Sequence, residues 1–350
     1  MFWTIAGFLI VLGVAILVHE LGHYWAARIA GVRVNTFSIG FGPAIIKWTD
    51  RRGTVWKLSW LPLGGYVSLY GSEDLFDRKK YDGLSAAKKK GHYLSVSKWK
   101  QAMIAIGGVG MNFALAFLIY TTLFIGWPRQ VQLPYIGQVI QNSVAYNAGV
   151  RAGDIVARID GARINNWGEI IIAKERAIHR DAQVILIRGE NLVQVKLSPA
   201  DRWGLIADGA RKEMQRKNIY TGMRAGAREV WMQTKTIVIV LKQIITGERS
   251  SKQLGSFILI AQLSGQALAA GLAALLALTA LLSINLGILN LLPLPVLDGG
   301  HLLIQGIEGV TRRKLQGKVL EYIFIGGWIF IALLFALTMK NDIFRVFGWQ

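Results

Sequence analysis

No cysteine occurs in the 350 residues, which excludes a disulfide framework, a cysteine-based metal site and a thiol nucleophile. Any metal ligand or catalytic group must come from His, Asp, Glu or Ser. Charge is scarce as well. Charged residues make up 17% of the chain against 53% hydrophobic, and a mean hydropathy of +0.38 is too apolar for an ordinary soluble domain. The charge present is mostly of one sign, with 40 Lys and Arg against 21 Asp and Glu. Its clusters, Arg78-Lys79-Lys80, Lys88-Lys89-Lys90 and Arg312-Arg313-Lys314, adjoin apolar stretches and lack the interleaved aromatics of a nucleic-acid surface. They point to membrane lipids and membrane orientation, and no nucleic-acid partner is expected.

Crossing a hydrocarbon core takes about 20 apolar residues, and four stretches qualify: Phe2 to about Ala26, Ala102–Trp127, Gln266–Leu297 with a polar, proline-containing end, and Tyr322–Met339. No Lys or Arg precedes the first, and Arg28 and Arg33 follow it. The positive-inside rule then places its N-terminus outside the cytoplasm, the reverse of a cleaved signal peptide. Carried along the chain, this puts residues 28–100 in the cytoplasm and 128 to about 265 outside, with the C-terminus outside too.

The first span contains "AILVHELGHYWAARIAG" (residues 15–31). In a helix His19 and His23 share a face, and Glu20 lies about 100° round from His19. This His-Glu-x-x-His spacing suits Zn²⁺ held by two neutral imidazoles, with the glutamate placed to take a proton from water at the ion. Ionisable groups inside a span are costly and mark function. A catalytic zinc needs a third protein ligand at similar depth. The third span offers "NLGILNLLPLPVLDGGH" (residues 285–301), where Pro293 and Pro295 break the helix. Asp298 is the best candidate, His301 the competitor; for His301 a role behind the ligands or in structure is favoured. His92 and His179, in polar segments, read as surface histidines.

His19-Glu20-Leu21-Gly22-His23 and the distant Asn290-Leu291-Leu292-Pro293-Leu294-Pro295-Val296-Leu297-Asp298-Gly299 together resemble the site-2 protease family of intramembrane zinc metalloproteases, most closely its bacterial regulator-of-sigma-E type. "VRVNTFSIGFGP" (32–43), "LPLGGYV" (61–67) and "IITG" (244–247) support the resemblance over nearly the whole chain. The resemblance implies that His19, His23 and Asp298 bind zinc, that Glu20 is the catalytic base and acid, and that Asn290 helps hold the substrate backbone or the developing oxyanion. It implies a protein of the bacterial inner membrane that cleaves single-span membrane proteins, anti-sigma factors or signal-peptide remnants, near the cytoplasmic face.

Residues 33–71 carry aromatic and β-branched residues broken by Gly64-Gly65, a hairpin or short strands. In the family such a sheet dips into the membrane and presents an edge strand to substrate, which would involve Gly64, Gly65, Tyr66, Pro293 and Pro295. A plain amphipathic β-structure on the membrane surface is the alternative. Within 132–200, "IGQVIQNSVAYNAGVRAGDIVARIDGARINNW" resembles a PDZ domain, a module that binds extended peptides or C-termini. Residues 222–246 read as an external amphipathic helix.

The fold expected is an α-helical integral membrane protein of about four transmembrane helices, with a cytoplasmic-side β-hairpin and one extracytoplasmic α+β PDZ domain. Its parts are a catalytic core at 1–127, the PDZ domain at 128–205, a linker helix region at 206–265 and a second core segment at 266–350. Prolines common in the family are replaced by Val109 and Phe257; Asn112, nearby in the second span, is expected to pack against the catalytic helix or hydrogen-bond near the site. Two rival functions remain, an inactive membrane-anchored PDZ adaptor and a metal transporter. An intact Glu20 argues against the first, and the absence of repeated halves or a continuous polar pathway argues against the second.

Overall fold

The computed structural model describes residues 2–177, 179–200, 203–215, 218–248, 257–313 and 315–347. The chain divides into two compact units, Met1–Leu123 with Ile219–Gln350, and Phe124–Asn218.

The first unit begins with α1 (Phe2–Ala30), 29 residues spanning roughly 44 Å. Strands β1 (Val34–Thr49) and β2 (Val55–Leu69) follow. Asp50 fixes the turn between them: its Oδ1 accepts from the Arg52 and Thr54 N–H groups at 2.8 and 3.0 Å, and its Oδ2 from Trp56 Nε1 at 3.0 Å. Gly64-Gly65 is therefore a bend inside β2, and the hairpin turn lies elsewhere. Before the bend, Val55–Leu58 pairs with both limbs of β1; after it, Gly65–Leu69 pairs with Val34–Ile39 on the opposite side. The strips thus lie in the order 44–49, 55–59, 34–39, 65–69, and 65–69 is an outer edge with no other strand partner among the described residues. Phe41, Ile45, Ile46, Trp48, Trp60 and Leu61 are exposed on this sheet, an apolar patch that water alone would not favour.

Helices α2 (Arg78–Asp82) and α3 (Ala86–Lys89) lie in the loop that follows. Here the expectation for His92 fails: the ring is fully buried. Its Nε2 is 3.0 Å from Asp74 Oδ2, its Nδ1 accepts from the Leu94 N–H at 3.1 Å, and Tyr70 and Tyr81 pack on it. A histidine with both nitrogens satisfied can be buried at little cost. Burial alone would raise the Asp74 carboxyl, but the bonds from His92 and Lys80 outweigh it and hold the group below the usual range. His179 is exposed, as expected.

Helix α4 (Lys98–Gly126) runs unbroken, and Val109, where a proline was expected, is buried within it. The second unit contains β3 (Arg129–Gln132), β4 (Ile136–Val139), α5 (Val144–Asn147), β5 (Ile155–Ile159), β6 (Ala162–Arg163), α6 (Trp167–Arg176), β7 (Ala182–Arg188), β8 (Asn191–Leu197), β9 (Leu205–Ala207) and β10 (Lys212–Gln215). Four strands form an antiparallel sheet in the order β6-β5-β7-β8, while β4 pairs with β9 and β3 with β10. Ile136, Val156, Ile159, Leu186, Leu197 and Trp203 fill its core.

Arg188 grips the buried Asp154 through two 2.8 Å bonds and also donates to the Gly149 carbonyl at 2.7 Å. Burial works to raise the Asp154 carboxyl, yet Arg188 and the Arg151 N–H prevail and hold it low. A carboxyl depressed by folding contributes stability that is fully present above its unfolded value and lost as pH falls through the folded one. Hydrogen exchange in β5 and β7 should accelerate below about pH 4. In Asp154→Asn it should already be faster at neutral pH and respond less to acid.

The chain returns to the first unit in α7 (Ile219–Ile245), α8 (Phe257–Ala270), α9 (Leu272–Asn290), α10 (Asp298–Thr311) and α11 (Gly317–Phe347). Among the described residues, four helices are long and apolar enough to cross a membrane: Phe2–Ala30, Lys98–Gly126, Leu272–Asn290 and Gly317–Lys340. The third is shorter than the expected Gln266–Leu297. Gly271, at φ +107°, separates α8 from α9, and Pro293 and Pro295, which lack a backbone N–H, lie beyond the end of α9. Phe257 opens α8. The charged helix α7 is not among the four, and its Gly226 packs on Thr121 of α4.

Candidate metal and active centre

One helical turn separates His19 from His23, and their Nε2 atoms stand 3.1 Å apart. Asp298 reaches both from the first turn of α10, with Oδ2 3.3 Å from His19 Nε2 and Oδ1 3.4 Å from His23 Nε2. The sequence places this carboxylate through Gly299 and Gly300. A Cβ on either would lie 2.2 and 2.1 Å from the Leu291 and Leu294 carbonyl oxygens, so only glycines let α10 fold tightly back over the turn that ends α9.

The rings are held from behind. His23 Nδ1 lies 2.8 Å from the Ile104 carbonyl oxygen, which fixes the Nδ1–H tautomer and leaves Nε2 as a lone-pair donor. Asn112 lies 3.2 Å from His19 Nδ1 through its amide, and its Oδ1 is buried without a partner. Rotating that amide by 180° gives the oxygen a ring N–H to accept and leaves His19 Nε2 free in the same way. Asn112 is itself pinned by Ser283 Oγ, which donates to its backbone carbonyl at 3.0 Å.

Glu20 lies beside the edge strip of β2. A Cβ built on Gly65 would stand 3.1 Å from the Glu20 Cγ. Asn290, the last residue of α9, has Nδ2 3.3 Å from His19 Nε2. All these groups open on one cavity of about 920 Å³, whose wall includes Gly64, Gly65, Tyr66 and His301. Pro293 and Pro295 are not part of that wall; Pro295 packs against Gly327 of α11. His301 stands apart from the three donors, with its ring on Phe324 at 5.4 Å.

The donor set suits a divalent cation. One nitrogen or oxygen from each of His19, His23 and Asp298 lies within 4.8 Å of the others, and Asp298 Oδ2 is buried without a hydrogen bond. Two imidazole lone pairs and a carboxylate gathered this closely need a positive centre, and the mixed N/O set matches zinc.

Several contributors were invisible to motif reading. The Ile104 carbonyl carries no side-chain signal. Gly22, Gly107 and Gly108 form a close crossing of α1 and α4: a Cβ on Gly22 would meet the Gly107 oxygen at 2.2 Å, and one on Gly108 would meet His23 Nε2 at 2.3 Å. The small residues of "AIGGVG" were the available clue.

A helical membrane protein with this donor set beside a glutamate defines the class of integral-membrane metalloproteases. The chain belongs to peptidase family M50, whose sequence profile matches residues 7–334. Putative zinc metalloprotease Atu1380 of Agrobacterium fabrum is 34% identical, the match covering 98% of this chain and 96% of its own. Metalloprotease MmpA of Caulobacter vibrioides is 31% identical over 96% and 94%, and the similarly named Cj1068 of Campylobacter jejuni 34% over 97% and 93%. The protein is thus a zinc metalloprotease, and the resemblance to site-2 proteases read from two distant motifs is borne out.

Proposed function

We propose that the protein is an intramembrane endopeptidase that cuts within, or at the edge of, the transmembrane segment of single-span proteins, of the kind cleaved in regulated intramembrane proteolysis. The observation that carries this reading is the convergence of His19, His23 and Asp298 on an apolar, membrane-length helix, beside the edge strip 65–69. A peptide bond must be extended to be hydrolysed. An edge strand can hold an unwound segment with its backbone groups paired, which is what a low-dielectric setting demands.

His19, His23 and Asp298 would hold the zinc ion, which when bound supplies a Lewis acid for the carbonyl and an acidified water. Glu20 takes the proton of the attacking water and returns it to the leaving nitrogen. The Asn290 amide, at the same end of the cavity, donates to the carbonyl oxygen as it gains charge. Asn112 and the Ile104 carbonyl keep the two rings in the ligating tautomer. His301 faces the cavity, so it acts towards substrate or packing rather than behind the donors.

The charge pattern supports an inner-membrane topology with both termini and residues 128–265 outside and the active centre near the cytoplasmic face. Residues 1–127 and 266–350 would form the catalytic core, 128–205 a PDZ domain for peptides or C-termini, and 206–265 a linker region bearing α7. An inactive adaptor is disfavoured by the intact Glu20.

Detergent-purified protein should contain one zinc per chain and cut a single-span reporter inside its apolar segment, with the site located by mass spectrometry. Chelation should abolish the cut and added zinc restore it. Cleavage confined to soluble peptides, or untouched by chelation, would sink the proposal.

A further inference from the structure

The cavity has a second polar feature at its mouth. Its wall continues from the strip 65–69 into Ser72, Glu73, Leu75 and Phe76. Glu73 is exposed and begins the single turn Glu73–Leu75. The other carboxylates lining the cavity are Glu20 and Asp298 at the chemical end, so Glu73 is the one acid at the rim among the described residues. Its neighbour Asp74 points inward, buried against His92 and tied to Lys80. That pair anchors the turn and leaves the Glu73 side chain outside, where it forms no ion pair with any described residue.

Its surroundings are mixed in charge but basic on balance, with the exposed acids Asp77 and Asp82 outnumbered by lysines. Lys79, Lys80, Lys88, Lys89 and Lys90 follow within the same loop, on a chain of net charge +19. By the positive-inside rule, single-span proteins also carry Lys or Arg where their span leaves the membrane on the cytoplasmic side. Such a flank is repelled by the lysines and attracted by a carboxylate, and of the exposed acids in this loop Glu73 is the one on the cavity wall. A segment laid along the strip ending at Leu69 leaves the cavity past Glu73, four residues further on.

We infer that Glu73 is a specificity-determining residue that receives the basic side chain flanking the cleaved segment of a substrate. The inference rests on the intramembrane-protease reading above. It assigns Glu73 no part in the bond-breaking step; the contact positions the segment and is expressed in KM.

The test uses the full-length zinc-loaded protein in detergent and a family of single-span reporters. Each carries one Lys, Gln or Glu, moved through successive positions beyond the cleaved bond. Wild type should prefer Lys to Gln by roughly 2- to 5-fold in kcat/KM, as for a partly exposed pair, over a narrow window of positions and less at high salt. Glu73→Gln should reduce the Lys-to-Gln ratio to about one, and Glu73→Lys should invert it in favour of Glu. Asp77→Asn, an exposed acid outside the cavity wall, should keep the wild-type preference. Three results overturn the inference: a Lys preference that survives in Glu73→Gln, the same loss in Asp77→Asn, or equal loss of all reporters in both Glu73 variants. Failure of wild type to cut any reporter sinks the protease reading instead.

Discussion

Glu20→Gln should abolish cleavage and leave the zinc content at one per chain. Glutamine has the length and shape of the glutamate, so the cavity wall, the strip beside Gly65 and the three donors on α1 and α10 keep their places. Only the ability to accept and return a proton is lost. A positioned general base contributes about 10²–10⁴-fold. The rate should fall by at least that much, because the proposed mechanism uses the same side chain twice, at attack and at departure of the amine. The measurement is reporter cleavage beside elemental analysis of the same preparation. A variant within about tenfold of wild type would move the base elsewhere, and a variant without zinc would make Glu20 part of the metal site.

Gly108→Ala should empty the metal site without touching a ligand. The added methyl would lie 2.3 Å from His23 Nε2 and 2.8 Å from His19 Cε1, closer than non-bonded heavy atoms tolerate. The helices are already in backbone contact at this point, where Gly22 and Gly107, the neighbours of His23 and Gly108, meet. Relief therefore comes by turning the imidazoles or by prising α1 from α4, and either separates the donors. Zinc per chain and cleavage should both fall close to zero, while circular dichroism keeps its helical signal. Gly110, whose Cβ position is open, supplies the control: Gly110→Ala should keep both zinc and activity. Retention of zinc by Gly108→Ala would mean that the crossing is looser than it stands here.

Much of this centre was legible because its chemistry imposes spacing. His19 and His23 must be one turn apart to share an ion, and depth in the membrane singled out Asp298. Asn112 was legible as a polar residue inside a span, though its partner, the His19 ring, was not. What escaped were features decided by contact alone. The Ile104 carbonyl looks like every other carbonyl. His92 reads as a surface residue in a polar loop, until Asp74 and the Leu94 N–H, brought in by folding, satisfy both nitrogens. Asp50, not Gly64-Gly65, sets the hairpin turn, because its carboxylate collects two backbone donors and an indole. The third span was drawn too long at both ends, since composition does not distinguish an apolar helix that stops at Gly271 from one that continues.

The three candidate ligands come from distant parts of the chain, His19 and His23 from the first helix and Asp298 from the start of the tenth. At ribosomal rates of about 5–20 residues per second, the last donor emerges on the order of tens of seconds after the first two. Throughout that interval the growing chain carries a base and two imidazoles but no complete metal centre. If these three residues are the ligands, the metal centre cannot be completed until the α10 segment has been made, long after the first helix.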